Sequence, residues 1–314
     1  MKDKKYCTSI GGQAVIEGVM MRGPEVTAVS VRKPDGEIIT DVNTNKSLFK
    51  KVKLFKLPLI RGCVAFFESM IIGTKALMFS AEFFDMEDDT DENPSKFDMW
   101  LEKTFGEKLK PIVIAFSILL SLALSIGLFI LIPTFITNFF GIQSNSIKTF
   151  VEGIIKLLIF FGYLVAVSQL KDIKRVFEYH GAEHKVIHCY ESGDELTIEN
   201  ARKYSRLHPR CGTSFLFIVL VISVLLFLLV PNGGDLAWHM RSLYKLVLLP
   251  LVAGVAYEII KLTGRYSNLL TRIVSAPGMA FQYITTREPD DSQIEVAIKS
   301  LNAVKPEQKE RAAW

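Results

Sequence analysis

Apolar residues in this chain gather into long runs separated by polar stretches. Residues 112–140, 150–170, 213–230 and 243–260 carry almost no charge. At about 1.5 Å per residue each helix would cross, or nearly cross, a hydrocarbon core of about 30 Å. A fifth run, 57–84, is apolar too, but Arg61, Glu68 and Lys75 recur in it every seven residues. That spacing puts the three charges on one helix face. Charges at membrane depth are costly, so the pattern predicts an amphipathic helix at the cytosolic interface, or one packed with its charged stripe inward. A fifth span is the alternative. Ahead of it, 27–31 and 37–42 are β-rich and flank Lys33-Pro34-Asp35-Gly36, a turn sequence, which predicts a β-hairpin. Beyond the last run, 264–289 is mixed and irregular. Residues 292–304 follow as an amphipathic helix, with a Ser292/Glu295 capping box and an apolar face of Ile294, Ala297, Ile298 and Leu301.

The pattern gives a mainly α, polytopic membrane protein with about four transmembrane helices, an interfacial amphipathic helix and a small N-terminal β-hairpin region on the cytosolic side. Its segments are a β-rich region (1–56), the amphipathic helix (57–84), an acidic linker (85–110) and a four-span domain (111–260) carrying a polar insert at 171–212. A C-terminal region (261–314) follows. Composition agrees: 49% of the 314 residues are hydrophobic and the mean hydropathy is +0.28. The net charge of +4 is not packed into a basic block, which argues against nucleic acid as a partner and leaves membrane lipid, with a membrane-protein partner as a second option. No apolar core follows the N-terminal lysines, so no signal peptide is expected. The insert 171–212 holds eight Lys or Arg, against one each in 141–149 and 231–242. The positive-inside rule then places the insert and both termini in the cytosol of a multi-pass plasma-membrane protein. The acidic run 85–92 lacks the glycine and distal glutamate of a calcium loop and reads as a solvated linker.

The insert also concentrates the chemistry. It holds four of the five histidines and two of the four cysteines. No cysteine pair has CxxC spacing, which favours reduced thiols. His180, His184 and His188 lie four apart, so if the second span continues as a helix they share one face, each about 6 Å above the last. Neighbours in that series can meet at one metal ion, but the outer two, about 12 Å apart, cannot. His180-Gly-Ala-Glu183-His184 fits HxxEH, in which two histidines hold zinc and the glutamate takes a proton from water. A third ligand must come from elsewhere: His208 or Cys211 at the head of the third run, or Glu258 near the end of the fourth. The plain alternative is a polar helix face at an interface, with His208 capping a helix, Arg210 snorkelling and Cys189 in the core. In the N-terminal stretch GGQAVIEGVMMRGP, Glu17 and Arg22 read as a surface ion pair beside a turn. The sharper alternative is a backbone nest or a loop that contacts a ligand.

Four stretches carry a family resemblance: GGQAVIEGVMMRGP, YHGAEHKVIHCYESGDELTIENARKYSRLHPRCGTSF, LPLVAGVAYEIIK and ITTREPDDSQIEVAI. Together they resemble the YqhQ-type bacterial membrane proteins, domain-of-unknown-function family 1385, along nearly the whole chain. The resemblance implies a membrane protein and a metal-dependent enzyme of unassigned reaction, with His180, Glu183, His184, His188, His208, Arg210, Cys211 and Glu258 at the matching positions. Residues and resemblance together favour a metal-dependent hydrolase, with a divalent metal, zinc by preference, and Glu183 as general base. A non-catalytic membrane adaptor with a structural metal or polar site is the second reading. A transporter using Glu258 and the Arg61/Glu68/Lys75 stripe is the third.

Overall fold

The computed structural model describes residues 7–45, 55, 57–84, 109–142, 144–229, 238–266 and 268–306. The acidic run 85–92 lies outside them. Four strands form one antiparallel sheet in sequence order: β1 (Gly11–Val15), β2 (Gly18–Arg22), β3 (Val26–Arg32) and β4 (Ile38–Thr44). The expected hairpin is its β3–β4 half, in register from Val26↔Thr44 to Arg32↔Ile38. Gly36 takes a φ of 87° there, and the Asp35 carboxylate accepts the Glu37 N–H at 2.9 Å. A second hairpin precedes it, and its two-residue turn puts Glu17 at φ 47°. Such turns need positive φ, a strained conformation for a residue with a Cβ. The Glu17 side chain is held in compensation by Arg175 and by the Tyr179 hydroxyl, which donates at 3.2 Å.

The helices are α1 (Ile60–Ala81), α2 (Leu109–Ile126), a π turn (Gly127–Leu131), α3 (Ile132–Phe139), α4 (Asn145–Val167), α5 (Lys171–Ser192), α6 (Ile198–Arg202), α7 (Gly212–Phe227), α8 (Trp238–Arg265), α9 (Leu269–Thr285) and α10 (Asp291–Val304). Contacts divide the chain into two units, 85–163 and the remainder. In the smaller unit the apolar run passes through the π turn, and the Thr137 hydroxyl donates back to Pro133 O at 3.1 Å. In the larger unit, alternation along the strands gives the sheet two apolar faces. Val15, Met20, Val29 and Val31 pack with Ala76 of α1. Val19, Met21 and Ala28 pack with Tyr179, Ala182 and Val186 of α5 and with Ile294, Ala297 and Leu301 of α10. Helix α8 packs against α1 and α7, and α9 packs on α7.

Among the described residues, four helices are long and apolar enough to cross a membrane: Ile60–Ala81, Leu119–Phe139, Ser146–Val167 and Leu246–Thr263. Four were expected, but the set differs. Helix α1 qualifies by length and composition, and two of its three charges are taken up by protein: Arg61 pairs with Glu258, and buried Glu68 accepts from Arg22 at 2.9 Å. Lys75 is exposed. Helix α7 has 16 residues and falls short. The second span does not continue into the histidine helix. Helix α4 stops at Val167, a turn intervenes, and α5 starts after Leu170, whose ψ of 137° is extended. Residues 269–285, read as irregular, form a helix despite Pro277, capped by Asn268 and Thr271. In α10 the capping box is Asp290 with Gln293 in place of Ser292 with Glu295, since the helix starts at Asp291 and Ser292 lies inside it; Glu295 pairs with Arg32.

Candidate functional site

Helix α5 supplies most of the site. Its inner face is buried from Tyr179 to Ile187, and it ends at Gly193, whose φ of 82° turns the chain back. The return passes through α6 to residues 206–211 and brings Cys211, the N-cap of α7, against the middle of α5. Glycine makes the close packing possible. A Cβ on Gly181 would lie 2.0 Å from Arg287 O, so the extended segment after α9 runs directly over α5.

The imidazoles of His180 and His184 are oriented by main-chain carbonyls. His180 Nδ1–H donates to Thr285 O at 2.8 Å, and His184 Nδ1–H donates to Arg206 O at 2.5 Å. With Nδ1 committed as donor, each neutral ring keeps its Nε2 lone pair for another partner. His180 Nε2 lies 3.1 Å from Cys211 Sγ. His184 Nε2 is buried with no hydrogen-bond partner. The ligating atoms of His180, His184 and Cys211 all lie within 4.8 Å of one another. Glu183 Oε2 is 3.8 Å from His180 Nε2 and 3.9 Å from His184 Nε2. Two imidazoles fixed by carbonyls and a thiol form a donor set suited to zinc, and outer hydrogen bonds of this kind are usual at metal-binding histidines. An unpartnered buried nitrogen costs free energy unless something binds it. On chemistry and on that nitrogen, the residues fit a metal ion.

Burial opposes charge on both His180 and Cys211, but attraction outweighs it: Cys211 and then Glu183 raise the imidazole, and His180 and His184 lower the thiol. The imidazole is pushed up and the thiol is pulled well below its usual range, so one proton sits between Nε2 and Sγ. Burial also pushes the Glu183 carboxyl above the usual carboxylate range, against the pull of both imidazoles and of the Gly12 N–H, which donates to it. A Cβ at Gly12 would sit 2.9 Å from Glu183 Cγ and 2.7 Å from Met20 O. The first hairpin therefore touches the site through glycine. Glu17 and Arg22 do not pair with each other. Glu17 goes to Arg175 on α5 and Arg22 to Glu68 on α1.

The structure separates the remaining candidates. His188 joins Glu191 and His208 in a second buried group. His188 Nε2–H donates to Leu207 O at 2.9 Å. Arg210 pairs with Glu191, whose Oε1 also accepts the Thr8 N–H at 2.7 Å. The Arg210 guanidinium supplies the positive charge in this second group. Glu258 belongs to neither group, because its carboxylate is held by Arg61. Cys189 is in the core, as expected. Sequence reasoning missed Gln282, which lies in the stretch read as irregular. It is fully buried and clasps the 208–211 turn: its Oε1 accepts the His208 N–H at 2.8 Å, and its Nε2 donates to His208 O at 2.7 Å and to Ser214 Oγ at 2.9 Å. The available signal was the Asn268-Leu-Leu-Thr271 cap. Gly12 and Glu191 were missed as well, and nothing local marks them.

Above the group opens a cavity of about 720 Å³. His180, Glu183, His184, His208, Arg210 and Cys211 line it, together with β1, α1 and α7.

The family model for DUF1385, described as a protein of unknown function, matches residues 57–307. The uncharacterized protein YqhQ of Bacillus subtilis (strain 168) is 35% identical over 305 residues, which cover 96% of this chain and 94% of that protein. No solved structure matches. Neither description names a metal or a reaction, so the metal-dependent activity implied by the resemblance gains no support from them.

Proposed function

This chain belongs to the DUF1385 family of proteins of unknown function, and from that premise we propose that it is a multi-pass plasma-membrane protein that binds a divalent metal at its cytosolic face and hydrolyses a membrane-proximal substrate there. The observation that carries the reading is the buried, unpartnered Nε2 of His184 beside His180 and Cys211. His180, His184 and Cys211 would hold the ion, with zinc preferred for a nitrogen-and-thiolate set. Zinc would supply Lewis acidity and lower the pKa of water in an open position to about 7. Glu183, buried beside the donor atoms with its carboxyl pushed up, is the base that receives a proton at Oε2, and Gly12 N–H fixes its orientation. The positive-inside pattern supports the cytosolic assignment.

Elemental analysis of the purified protein tests the metal. Wild type should hold about one equivalent of zinc, and His184→Ala and Cys211→Ser should each lose most of it, since losing one ligand of three typically removes the site. Stoichiometric metal in both variants would refute the ligand set. Glu183→Gln should keep the metal and lose activity. Full activity in that variant would leave a structural metal site in a non-catalytic adaptor, the second reading.

A further inference from the structure

We propose that this cavity takes an amphiphile, a polar head on one aliphatic chain, which enters sideways between α1 and α7. The inference rests on the metal-site reading for the chemistry done on the head, while the fit of the chain rests on the cavity alone. The large hydrophobic side chains among the exposed lining residues are Met70 and Leu77 on α1, 53% and 43% exposed, and Leu216 on α7, 47% exposed; the other exposed lining residues are glycines and the polar Ser9, Gln13, Ser69 and Thr74. Helices α1 and α7 are a membrane-length helix and a shorter apolar one, and Phe67, Ile71 and Met78 extend the exposed apolar face of α1. Apolar faces exposed this way are costly in water and unremarkable in lipid. Phe66 and Phe215, rings 6.0 Å apart, add to the apolar lining. The same lining includes the histidines, Glu183 and Cys211. The cavity thus combines apolar side chains on α1 and α7 with a polar group, and its size is that of a small-molecule site.

That combination points to the occupant. An aliphatic chain asks for no hydrogen-bond partner and suits the apolar side chains of Phe66, Met70, Leu77, Phe215 and Leu216, while a polar head suits the polar side chains that the same lining supplies.

The test uses the full-length protein in lipid nanodiscs and a lysophospholipid carrying a photoactivatable diazirine on its acyl chain. Labelling should concentrate at residues 66–77 and 215–216 and be competed by unlabelled lysophospholipid. Met70→Trp and Leu216→Trp, which fill the mouth, should each lower that labelling about tenfold, the equivalent of about 1.4 kcal/mol. Leu216→Ala should keep it, which separates blockage from misfolding. Labelling spread evenly over the exposed helix faces, or unchanged by both tryptophans, overturns the proposal. So does displacement by an apolar peptide and not by lysophospholipid. Zinc content is measured on the same samples. Labelling without metal overturns the hydrolase reading and leaves this inference standing, and metal without localised labelling does the reverse.

Discussion

Between His180 Nε2 and Cys211 Sγ, 3.1 Å apart, lies one proton whose affinity the pair raises on the imidazole and lowers on the thiol. A metal at these atoms must displace it. Zinc loading should therefore release about one proton from this pair at neutral pH, and zinc affinity should rise with pH until the pair is deprotonated. The sign follows from the raised imidazole: below its folded pKa the proton competes, above it the competition vanishes. Calorimetric titration in two buffers of different ionisation enthalpy reads the proton count, and an affinity flat from pH 6 to 9 would contradict the arrangement. At this scale the His180/Glu183/His184 grouping was legible, because i, i+3 and i+4 spacing is local geometry. The third partner was not. Cys211, His208 and Glu258 were equivalent by composition, and Cys211 stands apart only because the chain from Gly193 returns along α5 while Arg61 takes Glu258.

Among elements, α5 and the strap after α9 depend on one missing methyl group. Ala is preferred over Gly in a helix by about 1 kcal/mol, so Gly181→Ala would stabilise an isolated α5. In the protein the new Cβ lies 2.0 Å from a backbone oxygen, which cannot rotate away. A net loss of about 1–3 kcal/mol is expected, read by denaturant melts in detergent; a gain would show that the strap yields. The start of α10 offers a pH prediction. Burial opposes ionisation of Asp290, but hydrogen bonds from Ser292 and the Gln293 N–H prevail and hold its carboxyl below the usual range. The folded pKa is depressed, so the cap stabilises α10 above the unfolded carboxyl's pKa of about 4 and loses that contribution as pH falls through the lower folded value. Asp290→Ala should cost about 0.5–2 kcal/mol at neutral pH, a deficit that shrinks in melts at progressively acid pH. The helix itself was readable from its apolar face. Its cap was misassigned because Ser292 and Glu295 satisfy the same pattern two residues later, inside a helix that starts at Asp291.

For the whole molecule, hydrophobic runs revealed a helical membrane-type chain and the turn residues revealed a hairpin. What they could not reveal is which apolar helices fold back on a polar centre. The Arg61/Glu68 periodicity predicts either an interfacial helix or one packed with its charged stripe inward, and the two charges are ties from α1 to α8 and to the sheet, in line with the second. Removing one member of such a pair leaves an uncompensated charge, while replacing both with apolar groups removes the problem. Arg61→Met alone should therefore lower the melting temperature more than Arg61→Met with Glu258→Met, and the reverse order would show that the pair contributes little. The orientation of the two site histidines has a consequence of another kind. Both rings are aimed by peptide carbonyls, from Thr285 and Arg206, residues nearly eighty positions apart in the chain. An alanine scan preserves every carbonyl it passes, so it would find the rings and miss what points them. The determinants lie in the route of the main chain, and deletions or proline insertions at 205–207 and 285–287 are the changes that would expose them.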